Sequence, residues 1–515
     1  MKTSKRTSKI ITIILLCSIL LVTVLAFIVP PLLTKQYDEE LVIYNWADYI
    51  DTDVLGDFAE YYEELTGNSL NIIYSNFDTN ETMMTEIIKG DSKIDLMCPS
   101  EYAIQKLLRY DRLEKLNFDY VTEAGEELYV DNIRSDIREK IDTVFSDIEI
   151  GDSVGNMNDY FLPYMWGTLG VLYNTNYLTA EEVEDAGWGI FWNTLENEEL
   201  EGKILVKDSI RDTYVCALMY LKEQDMLSAK YQALNIDELI TCTDVELIEL
   251  AEQVLADQRK HLKGYEVDFG KDDMVNEIAY VDLAWSGDAT YAIEEAMDEE
   301  GNSYLDYYVP ESGSNIWFDG WVIPKADDYY TPNYRAAYLF LNYLNRPDIA
   351  MYNTVEIGYA SAVSNEIYTT LLENEDYMSL FTVGDWEESY EILDEVYADD
   401  ENYYSLLGMI YLLECYEIEP DTESIHAFCD EEFFGDTRRY SEFNESLGMM
   451  QDLGRFSESD NERVVEMWER VKSYGESENW TTLGILIGIL AGISLFTIGF
   501  IVLRFKRTPK AKKIA

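Results

Sequence analysis

Histidine is scarce in this chain, which limits the enzyme classes it could belong to. Only His261 and His426 occur among 515 residues. The stretch 151–155 reads GDSVG and fits the G-x-S-x-G pattern of a nucleophile elbow, but neither histidine lies in a motif expected of a triad base. An acidic loop explains the stretch better. The phosphate-loop pattern G-x-x-x-x-G-K-[ST] is also absent. We therefore expect no enzyme.

Cysteine spacing excludes two further classes. One of the six cysteines lies in an apolar N-terminal segment, and the other five are Cys98, Cys216, Cys242, Cys415 and Cys429. Their number is odd and no C-x-x-C spacing occurs, so a disulfide framework or a zinc site is not expected. A calcium loop beginning at Asp51 is excluded as well, because Leu55 and Tyr62 occupy ligand positions. We expect no metal and no cofactor.

Basic residues are few, and this excludes nucleic acid as a partner. The chain has 38 Lys and Arg against 100 Asp and Glu, for a net charge of −62. Such a field repels nucleic acid and enriches cations near the surface. Solubility, or adaptation to salt, accounts for most of these acids. Net charge alone does not indicate which carboxylates bind a ligand.

Two segments lack charge altogether and bracket the chain. Residues 10–33 and 481–503 are each long enough to span a bilayer, which needs about 20 apolar residues. The flanking tails 1–9 and 504–515 are basic. Because basic flanks stay cytoplasmic, we expect both termini inside the cell membrane and the bulk of the chain outside, on the periplasm-equivalent side.

The first segment has an alternative interpretation as a cleaved signal peptide. Its apolar run is long for that role, and no A-x-A site follows it. Cys17 could suggest a lipoprotein, but Leu16 precedes it where a small residue would be needed. We favour an uncleaved anchor.

A chain of 515 residues is too long for one hydrophobic core, so two or more domains are expected.

Short apolar strands alternate with amphipathic helices after the first segment. The pattern predicts strands at 41–43, 71–74 and 94–98, and helices at 54–65, 83–88 and 103–110. This alternation indicates a mostly parallel sheet covered by helices. Ligands of such sheets bind at the carboxyl ends of the strands. A second alternating block runs from about 162 to 317.

The first strand ends in an unusual turn. The sequence YNWADYI (44–50) puts Trp46, Asp48 and Tyr49 where small polar residues are usual. Aromatic rings attract ammonium groups, and a carboxylate adds a charge-assisted hydrogen bond. The turn therefore suits an organic cation and lies where a site is expected.

Eight segments, taken in order, resemble one family. They are YNWADYI (44–50), YSNFDTNETM (74–83), DLMCPSEY (95–102), LPYMWGTLGVLYN (162–174), AWSGDA (284–289), IWFDGWVIP (316–324), NRPDIA (345–350) and EIGYASAVSN (356–365). Together they resemble the polyamine-binding proteins of ABC importers, of the spermidine/putrescine type. The resemblance covers most of residues 40–365.

The resemblance implies an α/β, bilobal periplasmic-binding-protein-like fold with a hinge near Leu162, Trp317 and Tyr359. The implied lobes are 39–160 with 319–360 for lobe one, and 161–318 with 361–478 for lobe two. The stretch 366–445 is an extended insertion, longer than the usual family tail. The two membrane anchors depart from the common soluble or lipid-anchored form.

The resemblance also implies a set of ligand-binding residues. Lobe one would supply Trp46, Asp48, Tyr49, Ser100 and Tyr102. Asp208 and Asp212 would hold a terminal ammonium, Trp285 and Trp317 would be the walls, Asp319 would face the central amine, and Gln451 would match a late amide contact. Each has a structural alternative, since a lone Trp is usually core and a lone surface Asp usually solvated. Ala47 and Asp48 depart from the family pattern.

These observations predict a membrane-tethered receptor that captures spermidine or putrescine outside the cell and delivers it to an ABC permease. Two alternatives stay open. A protein of the same fold could bind a neutral sugar, whose binding would be insensitive to salt, whereas a polycation site weakens with ionic strength. A surface sensor or scaffold that does not transport could use 366–445 as its partner site.

Overall fold

The computed structural model describes nine stretches of the chain: 37–90, 93–267, 269–298, 301–326, 330–364, 371–416, 418–427, 447–455 and 457–473. Within these stretches, no helix combines the length and apolar character needed to cross a membrane. The predicted anchors 10–33 and 481–503 lie outside the described residues, as do both basic tails and parts of 366–445.

The chain from 39 to 155 begins with a small parallel sheet. Its elements are β1 Glu39–Asn45, α1 Thr52–Thr66, β2 Leu70–Asn76, α2 Asn80–Lys89, β3 Leu96–Met97, α3 Glu101–Arg109, α4 Asp119–Ala124, α5 Ser135–Phe145, β4 Ile148–Ile150 and β5 Ser153–Gly155. β1 lies between β2 and β3 and is parallel to both. The three predicted strands and three predicted helices of this region are confirmed, with shifted ends.

The chain from 162 onwards forms a larger mixed sheet and the remaining helices of the structure. The elements are β6 Leu162–Asn174, α6 Ala180–Ala186, β7 Ile204–Lys207, α7 Ile210–Glu223, α8 Ala229–Gln232, α9 Ile236–Ile240, α10 Val245–Gln258, β8 Leu262–Glu266, α11 Gly270–Val275, β9 Val281–Trp285, α12 Ser286–Glu295, β10 Leu305–Tyr308, β11 Ser314–Trp321, α13 Tyr334–Leu344, α14 Pro347–Ile357, β12 Ala360–Ser361, α15 Glu375–Phe381, α16 Trp386–Val396, α17 Tyr403–Cys415, α18 Thr422–Ala427, β13 Leu447–Met449 and α19 Glu458–Ser473. The sheet order is β13-β11-β6-β9-β7-β8, and β10 and β12 also pair with β6.

Buried apolar side chains separate into two large cores, which define two lobes. The core of lobe one contains Leu41, Phe58 and Leu107 together with residues of α13 and α14. The core of lobe two contains residues of β7, α7, α10 and α19. The long strand β6 enters the first core at its start and the second core from Leu169 onwards. The molecule is therefore a bilobal α/β protein.

Three strands lie side by side where the lobes meet. β11 and β12 both pair antiparallel with β6, through Asp319 opposite Met165 and Ala360 opposite Trp166. The segments predicted to cross between lobes, near Leu162, Trp317 and Tyr359, lie on or beside these strands. Adjacent, hydrogen-bonded crossings allow two lobes to rotate while each core stays intact.

The helices α15 to α18 form a helical insert, residues 371–427, with a core of its own. It packs on α14: the rings of Tyr352 and Tyr411 lie 4.3 Å apart, and the Arg346 guanidinium lies 3.9 Å from the Tyr404 ring centroid. The expectation grouped 361–478 with lobe two. The structure instead packs these helices on α14, whose buried face belongs to the core of lobe one. No Lys or Arg occurs between Arg346 and Arg438.

A close contact at the crossing strands gives a stability prediction. The register of β11 against β6 shifts between Asp319 and Gly320, and a Cβ at Gly320 would clash with the Phe161 ring and lie 2.5 Å from the Leu162 carbonyl oxygen. Gly320→Ala should therefore lower the free energy of unfolding by about 1–3 kcal/mol, measured by chemical denaturation. Gly264→Ala is the control, because nothing lies within 4 Å of its Cβ position. Equal stability of the two variants would contradict the prediction.

Candidate ligand-binding cleft

Strand β11 carries two of the predicted site residues to the junction of the lobes. Trp317 and Asp319 are two residues apart and so project from the same side of the strand, while Phe318 between them belongs to the core of lobe one. Trp317 lies opposite Gly167 of β6. A side chain at Gly167 would come within 2.7 Å of the Trp317 ring, so the glycine is what allows the indole to lie across β6.

Asp319 is buried, with 6% of its surface exposed. Its backbone bridges to Ser100, at the start of α3. Burial raises the pKa of Asp319 to about 7, the hydroxyls of Ser100 and Tyr49 lower it, and the charge of Asp212 raises it again. Among the described residues, Oδ1 of Asp319 has no hydrogen-bond partner. A buried acceptor without a partner is uncommon in native proteins and indicates a place for a donor from a ligand.

Aromatic rings surround this carboxyl. The Tyr359 ring contacts Trp317 edge-on at 5.5 Å and Tyr49 at 5.3 Å between centroids. Tyr49 also contacts Tyr164 at 5.8 Å. Within the described part of the chain, the Tyr49 hydroxyl and the Trp317 indole nitrogen make no hydrogen bond of normal geometry. The structure thus brings Tyr49, Trp317 and Asp319 together, as the resemblance implied.

Trp46 and Asp48, the other two predicted residues of the first turn, are more exposed than Tyr49. The Trp46 ring is half-buried against Phe77, at 4.4 Å, and its carbonyl accepts a hydrogen bond from Asn76 at 2.7 Å. Asp48 is exposed and has a φ of +48°. That left-handed conformation turns the chain sharply between Trp46 and Tyr49, so Tyr49 points inward while Asp48 faces solvent. Their roles as ligand contacts stay predictions.

Ser100 and Tyr102 begin α3 and are held by one amide. Nδ2 of Asn80 donates to the Ser100 hydroxyl and to the Tyr102 hydroxyl, both at 2.9 Å. The Tyr102 ring faces lobe two, where the Arg211 guanidinium lies 3.5 Å from its centroid. Arg211 also approaches Glu81, with 3.8 Å between Nε and Oε1. One ring face of Tyr102 is therefore already in contact with a cation of this chain.

The two predicted carboxylates of lobe two have different environments. Asp212 is buried in the first turn of α7. Burial raises its pKa, while Ser209, Lys207 and Trp285 lower it. Asp208 is exposed and accepts a hydrogen bond from Nζ of Lys472 at 3.2 Å. Asp212 lies close enough for its charge to raise the pKa of Asp319. Asp208 instead faces α19, because it precedes Ser209, the residue that caps α7.

Trp285 is half-buried at the end of β9. A network of buried charged side chains lies next to its ring. Nζ of Lys207 lies 4.4 Å from the Trp285 ring centroid, 2.5 Å from Glu266 and 3.2 Å from Asp288. Burial raises the pKa of the neighbouring Asp282 to about 8. Tyr359 donates to Asp288 at 3.0 Å, so this network is joined to the aromatic rings around Asp319.

Gln451 lies at the edge of the junction. Nε2 of Gln105 lies 3.4 Å from its side-chain oxygen, and its carbonyl accepts from Arg211 at 3.2 Å. It therefore touches α3 of lobe one and α7 of lobe two. The structure puts Gln451 beside the cleft without a described contact to Trp317 or Asp319.

Sequence reasoning missed Glu101 and Arg211, and it treated Tyr359 only as a hinge residue. Glu101 is almost fully buried. Its Oε2 accepts from the Phe318 backbone N–H at 3.0 Å, and burial raises its pKa to about 8. An acid in the first turn of a helix is usually an exposed partner of the helix dipole. Glu101 is buried where the backbone of Ser100 bridges to β11. No pattern in the local sequence indicates that pairing.

Two lobes joined by paired strands, with buried carboxyls and aromatic rings between them, define a solute-binding protein of the hinged, two-lobe class. The chain belongs to the bacterial extracellular solute-binding protein family, whose model matches residues 57–370. Members of this family bind solutes and are not enzymes.

Curated relatives and solved structures agree with this assignment. The putrescine-binding periplasmic protein PotF of Escherichia coli is 26% identical over 339 residues, which are 65% of this chain and 80% of that protein. The spermidine/putrescine-binding periplasmic protein of Escherichia coli is 23% identical over 374 residues, 71% of this chain and 91% of that protein. The structure of the substrate-binding protein PotD from Streptococcus pneumoniae has a TM-score of 0.51 at 23% identity and covers 85% of this chain and 99% of that one. The structural likeness shows the shared fold.

The raised pKa of Asp319 gives a prediction for the chain without ligand. An unfolded aspartate has a pKa of about 3.9, so between about pH 4 and pH 7 the folded chain holds a proton that the unfolded chain has lost. The contribution of Asp319 to stability should therefore fall with rising pH across this window and level off above it. Asp319→Asn removes this loss. Its advantage over the unmodified chain should grow from pH 4 to 7, by at most about 1.4 kcal/mol per unit.

Chemical denaturation of both chains at several pH values would measure this difference. A difference that stays constant from pH 4 to pH 8 would contradict the assignment of a buried, proton-holding carboxyl at Asp319.

Proposed function

We propose that this chain captures a polyamine outside the cytoplasm and delivers it to an ABC importer. The observation that carries the proposal is Asp319: a buried carboxyl, beside Trp317 and Tyr49, whose Oδ1 makes no hydrogen bond of normal geometry with any described residue. A protonated amine supplies both the missing donor and the opposite charge. The printed names of the curated relatives, which bind putrescine or spermidine, support the same ligand class.

The physical chemistry of the site favours a flexible organic cation. The pKa of Asp319 near 7 means that its carboxyl ionises readily once a cation lies beside it, because an opposite charge favours the charged form. The faces of Trp317, Tyr49 and Tyr359 suit methylene groups and add an attraction of about 2 kcal/mol or more for a desolvated ammonium. A neutral sugar could donate a hydrogen bond to this carboxyl but brings no positive charge, so it would not favour the ionised form of Asp319.

Both lobes contribute, so a ligand can favour closure. Asp319 lies on a crossing strand, Tyr49 on lobe one, and Asp212 on α7 of lobe two, near enough to raise the pKa of Asp319. A diamine that pairs with both carboxylates gains more from the closed form than from the open one, and only such a difference in affinity shifts the equilibrium. In this proposal the closed, loaded form docks on a permease driven by a separate ATPase.

We also propose a domain arrangement and a location. Lobe one comprises 39–160 with 319–360 and carries the helical insert, while 161–318 and α19 belong to lobe two. Segments 10–33 and 481–503 anchor both ends in the cell membrane, with the lobes outside. The absence of Asp and Glu from both segments, and their basic flanks, support this arrangement.

Calorimetric titration of the purified full-length chain tests the ligand class. We expect putrescine or spermidine to bind with a Kd of about 1 µM or below, near −8 kcal/mol, and to bind more weakly as salt rises. A neutral hexose should not bind. Affinity no tighter than about 1 mM, or −4 kcal/mol, for every polyamine would exclude the proposal, and salt-insensitive binding of a sugar would favour the sugar alternative.

Two aspartates provide a matched pair for locating the site. Asp319→Asn should weaken polyamine binding by about a hundredfold, because one partner of a buried, charge-assisted hydrogen bond is lost. Asp208→Asn should leave the affinity unchanged, because Asp208 is exposed and faces Lys472. Titration of both variants against the unmodified chain measures the effect. Equal affinities for the two variants would put the ligand elsewhere.

A membrane extraction experiment tests the location. Membranes from cells that express the full chain are washed with alkaline carbonate, which removes peripheral proteins. We expect the chain to stay with the membranes, and a variant ending at residue 480 to stay as well if the first segment is an uncleaved anchor. Release of the full chain would contradict anchoring by either segment.

A further inference from the structure

Helix α3 presents one polar face to lobe two. Tyr102, Gln105, Lys106 and Arg109 are spaced at i, i+3, i+4 and i+7, which places them along one side of the helix. Other residues of α3, among them Ala103, Ile104, Leu107 and Leu108, are buried in the core of lobe one. The first residue of this polar face, Tyr102, lies at the proposed ligand cleft. The last, Arg109, lies two turns further along.

Arg109 makes the main contacts at the far end of this face. Its Nη2 lies 3.0 Å from Oδ2 of Asp452 and 2.6 Å from Oε1 of Glu458. Its Nη1 also donates to the Gly454 carbonyl. Asp452 is 1% exposed, whereas the Glu458 side chain is half exposed. One guanidinium thus contacts two carboxylates and a carbonyl of one short segment, at Asp452, Glu458 and Gly454.

Three neighbours on α3 and just after it contact the same segment. Oε1 of Gln105 accepts from the Asp452 N–H at 2.6 Å. Nζ of Lys106 lies 3.7 Å from Glu458, and the Tyr110 hydroxyl donates to Glu458 at 3.0 Å. We call these residues and Arg109, with Asp452, Gly454 and Glu458, the α3 seam.

Residues 451–455 are anchored in lobe two. Leu453 belongs to the core of lobe two, as do Met467 and Trp468 of the following helix α19. Arg455 donates to the carbonyl and the hydroxyl of Thr241, which follows α9. Arg470 of α19 forms an ion pair with Glu252 of α10 at 2.8 Å. The α3 seam therefore joins lobe one to lobe two.

We propose that the α3 seam is a latch that holds the lobes closed, and that Arg109 is a positioning residue setting the rate at which ligand leaves. This rests on the proposed function, because it assumes that ligand is held by lobe closure. Arg109 has no described contact with Trp317, Asp319 or Asp212, so it acts on affinity only through closure. Loss of one partner of a buried charge pair acts mainly on dissociation.

The rigid helix explains how cleft and latch act together. Ser100, Glu101 and Tyr102 begin α3 at the cleft, and Arg109 ends it at the seam. A ligand that draws lobe two towards the start of α3 also brings Asp452 and Glu458 to its end. Closure then gains from both contacts at once, whereas either contact alone leaves the other side unpaired.

Ligand dissociation from the full-length chain tests the latch. Dissociation and association of the polyamine that binds most tightly are followed by stopped-flow tryptophan fluorescence. Arg109→Gln should speed dissociation by about tenfold or more, with association changed by less than about threefold, since interface mutations act mostly on dissociation. Glu458→Gln, at a half-exposed position, should speed dissociation by a smaller factor. The double variant should be faster than Arg109→Gln by less than the Glu458→Gln factor, because only the contacts of Glu458 with Lys106 and Tyr110 remain to be lost.

Arg470→Gln is the matched control, because its ion pair with Glu252 lies within lobe two. It should leave both rates unchanged. If Arg109→Gln is folded by circular dichroism and dissociates as slowly as the unmodified chain, or if Arg470→Gln dissociates equally fast, the latch is excluded.

A second measurement does not depend on the ligand's identity. Non-cysteine spin labels at the exposed positions Val154 and Val245 report the distance between the lobes in the absence of ligand. Arg109→Gln should shift the distance distribution towards separated lobes, and an unchanged distribution overturns the latch. If the unmodified chain binds no polyamine while this shift is seen, the ligand class is wrong and the latch stands.

Discussion

The burial of the Asp319 carboxyl on a strand that passes between two lobes is the constraint on which the site depends. A carboxyl taken out of water raises its pKa and favours any arrangement that brings a cation to it. Because β11 pairs with β6 along the junction of the lobes, the carboxyl lies where residues of both lobes can approach it. In the proposed function, a ligand that pairs with it therefore contacts both lobes.

Local patterns in the sequence were sufficient for the first three strands and three helices of lobe one. The apolar run 41–43 predicted β1, and the face formed by Val54, Phe58 and Tyr62 predicted α1, because its period matches that of a helix. The stretch 366–445 was identified only as an extended insertion, and the packing of its helices on α14 was not predicted. That contact depends on Arg346 and Tyr404, which are far apart in sequence and carry no joint pattern.

The candidate site also contains residues that could be named from the sequence and residues that could not. Tyr49, Asp212, Trp317 and Asp319 could be named from the sequence because the family resemblance implies them as ligand-binding residues. Asp208 has the same residue type as Asp212, and only the position of the α7 cap separates the exposed carboxylate from the buried one. Glu101 could not be found, because its burial arises from pairing between Ser100 and Asp319 across more than two hundred residues.

The helical insert has a practical consequence that follows from its composition. Trypsin cleaves after Lys and Arg, and none occurs between Arg346 and Arg438, while the bond after Arg346 precedes Pro347 and resists cleavage. A tryptic digest therefore releases 336–438 as one large acidic peptide, too long for routine mass spectrometry. Peptide coverage of this chain will show a gap over the insert, and that gap should not be taken for proteolytic loss in the cell.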